Sequence, residues 1–273
     1  MIQSIYEIHI FKDPDFPLIF HFDTIKAAHP SFMLHWHENI EILFFVHGQS
    51  NVTCNAQIIT THAGDIVVIN SNELHNIVAV SHSCKYYCLI IDKVFCESFN
   101  IPVSQILLQN LLTNNAPTSF FENIIKEMQL QNSYYKSAVK VLAIELLINL
   151  YRNFTITIPK ESKNGNRRKI RLVKDVLSFL QIHYLEDITI EDICREMGFS
   201  KYYICHVFKE ITRKTIIDYI NCLRCDYAKI LLTSGKWNVS ESALLCGYHN
   251  LSYFSKCYKR YHGILPSEEL HDI

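Results

Sequence analysis

Ile190-Glu191-Asp192-Ile193-Cys194-Arg195-Glu196-Met197-Gly198-Phe199-Ser200-Lys201-Tyr202-Tyr203-Ile204-Cys205-His206-Val207-Phe208-Lys209, and further on Val239-Ser240-Glu241-Ser242-Ala243-Leu244-Leu245-Cys246-Gly247-Tyr248-His249-Asn250-Leu251-Ser252-Tyr253-Phe254-Ser255-Lys256-Cys257-Tyr258-Lys259, decide how this chain folds. Each stretch reads as a short amphipathic helix, a Gly-aromatic turn and a second helix ending in aromatic-Lys. Gly198 and Gly247 stand where the chain reverses and a positive φ is tolerated only without a Cβ. Two such helix-turn-helix units can lay two recognition helices into successive major grooves of DNA. The pattern between them predicts a long helix over Ile216–Thr233, roughly 27 Å at 1.5 Å per residue. With the width of the units at its ends, it separates the recognition helices by close to the roughly 34 Å repeat of B-DNA.

Working outward, further helices are expected over Lys169–Tyr184, Thr189–Met197, Lys201–Ile211, Ser240–Leu245 and Leu251–Tyr261, with Thr189 and Asp192 as an N-cap pattern. Helical position sorts the recognition faces. Lys201, Tyr202, Cys205, His206 and Lys209 face outward on the first, with Ile204, Val207 and Phe208 inward. On the second, Asn250, Leu251, Ser252, Ser255 and Lys256 face outward, with Phe254 and Tyr258 inward. Lys209 and Lys259 are placed to meet phosphate, which positions a protein without specifying sequence. Any one of these residues alone reads equally as solvated surface; the matched set on two helices points to DNA.

The polar, basic stretch Pro159–Lys169 reads as a linker over 159–168 running into the helical domain, 169–273. Before it, periodicity turns helical at about 103, and Tyr134–Phe154 carries Val139, Leu142, Ala143, Leu146, Leu147 and Leu150 on one broad face. That face either packs on its own domain or forms half of a dimer interface, which makes 101–158 a helical dimerisation segment. Residues 1–100 read as short strands (Ile40–Val46, Asn51–Ile59, Asp65–Ile69, Tyr86–Ile91) divided by turn residues, a small barrel or sandwich.

The spacing Gly-aromatic-Ser-x3-Ile-x2-Val-Phe-Lys, then Leu223-Arg224-x3-Ala228-x2-Leu231-Leu232, then Ala243-x3-Gly247-Tyr248-x4-Tyr253-Phe254-Ser255-Lys256-x-Tyr258-Lys259 and Pro266-Ser267-Glu268, resembles the AraC family of bacterial transcription regulators over about 170–270. The resemblance implies a sequence-specific regulator of promoter DNA that acts as a homodimer, in the activating mode through contact with RNA polymerase. It also puts Lys256 and His206 where similar proteins present side chains to base edges, and a Lys can donate to guanine O6 and N7. The chain departs from the family at Ser242, where a buried aliphatic is usual, at Arg213, where Gly is common, and at Leu270, in place of an aromatic and Arg.

Residues His35-x-His37-x3-Glu41-x6-Gly48, followed by Gly64-Asp65 and His75, resemble the two motifs of the cupin barrel. Together the resemblances give an α+β chain: an N-terminal cupin-like β-barrel with flanking helices, and a C-terminal all-α domain with two helix-turn-helix units. On a strand, residues 35 and 37 share a face, so both imidazoles project into the barrel. Three readings fit these residues, and the tether to a DNA reader points to the first. They hydrogen-bond a small polar effector, a sugar for example, with Trp36 and Phe32 stacking on it. They hold a divalent first-row metal at His35, His37, Glu41 and His75. Or they are polar barrel residues without a ligand. Ser71 or Asn72 stands where the second motif usually has Pro.

The totals bound the rest. With 273 residues, 49% hydrophobic and 19% charged, this is a folded chain of one large or two ordinary domains. Its longest apolar runs are too short to span a bilayer, and the N-terminus does not read as a signal peptide. Ten scattered cysteines then read as reduced thiols of a cytoplasmic protein, and Cys222-x2-Cys225 inside the long helix reads as packing. Residues 1–158 hold 8 Lys+Arg against 13 Asp+Glu, and residues 159–273 hold 18 against 14, an acidic sensor joined to a basic DNA binder. There is no phosphate loop, nucleophile elbow or paired-carboxylate geometry, so no enzyme is expected. A metal-dependent cupin enzyme with a helical appendage, or an effector-independent DNA binder, are the alternatives.

Overall fold

The computed structural model describes residues 6–26, 34–113, 116–156 and 160–269, with the backbone alone over 160–164. The chain divides into Tyr6–Lys160 and a unit built from Glu161–Ile273. Phe32 and Leu270 lie outside the described residues.

The first unit is β-rich. Its elements are β1 (Leu18–Lys26), β2 (Ile40–His47), β3 (Ser50–Cys54), β4 (Gln57–Thr61), β5 (Ile66–Ile69), β6 (His75–Ala79), β7 (Ser83–Ile91), α1 (Lys93–Ser98), β8 (Leu107–Leu108), β9 (Leu111–Leu112), α2 (Thr118–Leu130), α3 (Tyr135–Asn153) and β10 (Thr155–Ile156). One sheet runs β1-β7-β2-β5-β9 and a second β4-β3-β6. The apolar run of β2 is explained by burial on both faces. Ile40, Ile42 and Phe44 pack with Phe121, Val139 and Leu147 of α2 and α3, while Leu43 and Phe45 pack with Val52, Ile77 and Tyr86 inside the barrel. Each fully buried aliphatic there contributes about 1.5–3 kcal/mol. Glu41 falls on the inward-facing side of this strand.

Three expectations change. Asn51–Ile59 is not one strand but the hairpin β3–β4, because Asn55 takes φ 54° and turns the chain. The barrel does not end at 100, since β9 pairs with β5, so 101–158 is not purely helical. The expected linker 159–168 is helical from Lys160 onward, inside α4 (Lys160–His183); Lys, Glu and Arg are good helix formers and no proline interrupts 160–183. On α3, the stripe Val139, Ala143, Leu146, Leu147 and Leu150 is core, with Leu142 packed against it. Val141 and Ile148 are exposed.

The second unit follows α4 with α5 (Ile190–Met197), α6 (Lys201–Thr212), α7 (Ile216–Thr233), α8 (Val239–Leu245), α9 (Leu251–His262) and α10 (Pro266–Glu269). Both helix-turn-helix units open with a capping box, Thr189 with Asp192 and Asn238 with Glu241. Gly198 and Gly247 have φ of +71° and +76°. At Gly247 a Cβ would also meet the Leu185 carbonyl oxygen at 2.9 Å and the Arg224 guanidinium at 3.0 Å. Arg224, on α7, donates to the carbonyls of Tyr184 (2.6 Å), Glu186 (2.7 Å) and Gly247 (2.8 Å), tying the loop before α5 to the turn of the second unit. Arg213 is the C-cap of α6 at φ 60°, a left-handed position that accounts for the glycine usual there.

Ser242 is completely buried, and its Oγ has no hydrogen-bond partner among the described residues. Replacing Ser242 with Ala is therefore expected to raise stability by about 1 kcal/mol, because a dry, unpaired hydroxyl costs more than it returns. Urea midpoints of the two proteins check this, and a lower midpoint for the variant refutes it.

Candidate functional site

The two recognition helices, α6 and α9, are each 12 residues long and alternate exposed and buried positions in the same order through their first nine residues. Ile204, Val207 and Phe208 on one, and Phe254, Cys257 and Tyr258 on the other, are buried. Lys201, Tyr202, His206 and Lys209, and their counterparts Leu251, Ser252, Lys256 and Lys259, are exposed, while Cys205 and Ser255 are half-buried. Each helix thus presents one continuous ridge. The ends that start them differ: Ser200 caps α6 and Asn250 caps α9, its Oδ1 accepting from the Tyr253 amide at 2.9 Å. Asn250, expected as a base reader, has that oxygen engaged in holding the helix start.

Charge separates the two ridges. Lys201 is paired with Glu191 at 2.8 Å, and Glu210 takes Lys169 at 2.8 Å with His206 at 3.8 Å. Lys209, Lys256 and Lys259 have no ion pair among the described residues. Tyr203 and Tyr253 are exposed too and were not singled out; the Tyr253 hydroxyl accepts from Asn221 of α7 at 2.9 Å.

In the barrel, the fold brings the four motif residues together. His35 and His75, far apart in sequence, exchange backbone hydrogen bonds of 2.9 and 3.1 Å. Asn72 at φ 60° makes the turn before His75, a conformation closed to proline, and its amide donates to the His37 carbonyl at 2.8 Å. The ligating atoms of His35, His37, Glu41 and His75 all lie within 4.8 Å of one another, and all four side chains are buried.

The hydrogen bonding of the rings is informative. His37 Nδ1 faces the Asn39 carbonyl at 3.1 Å and His75 Nδ1 faces the Glu73 carbonyl at 2.8 Å. A carbonyl only accepts, so both Nδ1 atoms carry the proton and, in the neutral rings, both Nε2 atoms offer lone pairs. Those lone pairs converge on one oxygen, Glu41 Oε2, at 2.9 Å from His37 and 3.1 Å from His75. Lone pairs facing a carboxylate require a cation between them, either protons on the rings or a metal ion. Backbone carbonyls fixing Nδ1–H is the second layer that metal-ligating imidazoles need. Burial pushes the Glu41 carboxyl up, but hydrogen bonds from His37 and His75 outweigh it and hold it well below the usual range. Burial, then the charge of His35, pushes His75 down to about 4.

A cavity of about 80 Å³ opens beside these groups, lined by Glu7, His21, Asp23, His35, Glu41, His75 and the walls Ile77, Tyr86, Cys88 and Ile90. Cys88 Sγ donates to Glu41 Oε1 at 3.2 Å, and burial keeps it a thiol. Trp36 does not line the cavity. Alternation turns it away from His35 and His37, and it packs on Tyr6 at 6.0 Å between rings. Glu7, His9, His21 and Asp23 were not anticipated. The pair His21-x-Asp23, 2.9 Å apart on one strand face, was visible as a polar interruption of an apolar strand; Glu7 and His9 carried no such signal.

Residues 21–147 match the family model for the AraC-like ligand binding domain, and residues 193–271 match that for a helix-turn-helix domain. The chain is 24% identical to the HTH-type transcriptional regulator YdeC of Bacillus subtilis strain 168, over 97% of this chain and 95% of that protein. It is 29% identical to the HTH-type transcriptional regulator YdiP of Escherichia coli strain K12, over 86% and 79%, and 21% identical to the transcriptional activator RhaR of Mannheimia succiniciproducens, over 90% of each. A solved structure of ToxT from Vibrio cholerae with an unsaturated fatty acid bound is similar at a TM-score of 0.45 and 16% identity, over 93% of this chain and 94% of that one. No helix among the described residues is long and apolar enough to cross a membrane.

Proposed function

This chain belongs to the AraC family of transcription regulators, and from that premise we propose that it reads promoter DNA through α6 and α9 under the control of a divalent first-row metal ion held in the N-terminal barrel. The observation that carries the DNA reading is the repeated order of exposed and buried residues along the two helices. Of the three exposed lysines on these helices without an ion pair among the described residues, α9 carries two, which favours it as the stronger reader, with Lys256 toward a base edge and Lys259 and Lys209 toward phosphate.

For the effector, cavity size favours one of the three sequence readings. About 80 Å³ is far below the roughly 300–1,000 Å³ of small-molecule pockets. A sugar does not suit it; a metal ion with bound water does. The tetrad fits that group: His35, His37, Glu41 and His75 supply three nitrogens and one oxygen, a set suited to Fe, Mn or Ni. When bound, such an ion supplies the positive charge that the converging lone pairs and carboxylate lack. The chain's own residues do the rest: Asn39 and Glu73 carbonyls orient the imidazoles, and apolar walls keep the site dry. Metal occupancy shifts DNA binding by no more than its differential affinity for the DNA-competent state.

Two copies pair through the outer face of α3, where Val141 and Ile148 are exposed opposite the core stripe. Activation through RNA polymerase follows from the family resemblance, and ten unbridged cysteines suit a reducing cytoplasm. The test is gel-shift selection over random oligonucleotides with chelator-treated full-length protein, with and without Mn(II), Ni(II) or Zn(II). A preferred site whose occupancy responds to metal is expected. His35→Ala and His37→Ala proteins should keep that site and lose the response. Recovery of no preferred sequence at low ionic strength defeats the DNA reading, and a site indifferent to metal defeats the sensing one.

A further inference from the structure

The tetrad comes from the motif strands and loops, but one wall of its cavity is supplied from elsewhere. Glu7 lines the same space as His35, Glu41 and His75. Its Oε2 lies 3.1 Å from His35 Nε2 and 3.8 Å from His9 Nε2. The segment carrying it is pinned to the loop that holds the motif. The Glu7 amide donates to the Trp36 carbonyl at 2.9 Å, and Tyr6 pairs with Trp36 in parallel. The His9 side chain is covered, its ring lies 4.4 Å from that of His37, and its Nδ1 accepts from Asn39 Nδ2 at 2.9 Å. Every residue that fixes this segment is therefore a neighbour of a tetrad imidazole.

Building on the metal reading above, we propose that Glu7 is a fifth ligand of the barrel's metal ion, so that binding the ion also fastens Tyr6–Ile10 onto the barrel. Three observations support it. The carboxylate already faces the ring nitrogen of a tetrad histidine at hydrogen-bond distance, in the cavity that His35, Glu41 and His75 border. A second carboxylate also balances charge: Glu7 and Glu41 together offset a divalent cation among neutral imidazoles, where a site with Glu41 alone leaves an uncompensated buried charge. Finally, His9 has no other acid than Glu7 within ion-pair reach among the described residues, which places it as the residue that positions this carboxylate.

The experiment titrates chelator-treated full-length protein with Co(II), reading visible d–d absorption, affinity against a competing chelator, and hydrogen exchange of the Glu7 amide. Wild type, Glu7→Gln, Glu7→Ala and His37→Ala are compared. Glu7 is partly exposed, and its variants are checked for wild-type circular dichroism. The expected result is a tenfold or larger loss of Co(II) affinity in both Glu7 variants, an altered d–d spectrum, and metal-induced protection of the Glu7 amide in wild type alone. Unchanged spectra in the Glu7 variants overturn ligation even if affinity falls, because a residue that only orients His35 leaves the ligand set intact. Equal affinity in all but His37→Ala overturns the proposal while the tetrad reading stands. No Co(II) binding by wild type overturns both.

Discussion

Replacing Arg224 with Ala lowers the unfolding free energy of the helical unit by about 3 kcal/mol, a large fraction of what a domain possesses. Charged donors contribute more per hydrogen bond than neutral ones, and this guanidinium serves three backbone carbonyls at 2.6–2.8 Å. The three losses are not additive, since water reaches part of the site once the side chain is gone. Arg224→Lys recovers little of it, because an ammonium cannot fork toward three carbonyls at once. The chain has two tryptophans, Trp36 and Trp237, one in each unit. Urea unfolding of the Trp36→Phe background, read through Trp237, therefore reports on the helical unit. A midpoint within experimental error of the parent shows that the fork is ornamental. DNA affinity should fall in parallel, since the carbonyl of Gly247 sits in the turn that aims α9.

Lys256→Ala weakens binding to the selected site by about 10- to 100-fold, or about 1–3 kcal/mol, and relaxes preference at one base pair. Its ammonium is exposed on α9 with no acid partner among the described residues, so nothing within the protein competes with DNA for it. Lys201→Ala makes a useful contrast. Its ion pair with Glu191 is exposed and nearly neutral in energy, so its loss costs little on either count. Lys259→Ala should weaken all sequences alike and reduce the salt slope by about 1, as for a phosphate contact. Competition gel shifts against single-base variants separate these cases. A uniform loss for Lys256→Ala moves that residue into the phosphate class.

Much of the fold was legible because its signals are local. Gly198 and Gly247 mark turns by conformation, Thr189 with Asp192 marks a helix start, and the limits of α7 follow from apolar spacing and the Thr233-Ser234-Gly235 stop. The misreadings share a cause. Asn51–Ile59 needed the turn at Asn55, the helical start of α4 needed propensity weighed above polarity, and Trp36 needed to be seen from the partner that covers it. Asn250 satisfied two readings at once, outward position and helix cap, and the chain's need for a capped terminus took its side-chain oxygen.

By itself the amino-acid order determined the two helix-turn-helix units, the apolar run of the barrel's central strand and the motif of His35, His37, Glu41 and His75, since each depends on spacing along one element or turn. Only the tertiary structure decided how those residues act. Register pairs His35 with His75, two backbone carbonyls turn the imidazole lone pairs onto Glu41, and a distant segment brings Glu7 to the same cavity. Likewise, Glu191 takes Lys201 of the first recognition helix and Glu210 lies 3.8 Å from His206, whereas Lys209, Lys256 and Lys259 have no ion pair among the described residues. The reason is the same throughout: local propensity acts over a few residues, whereas the state of a buried or charged group is set by whichever atoms folding brings within a few ångströms of it.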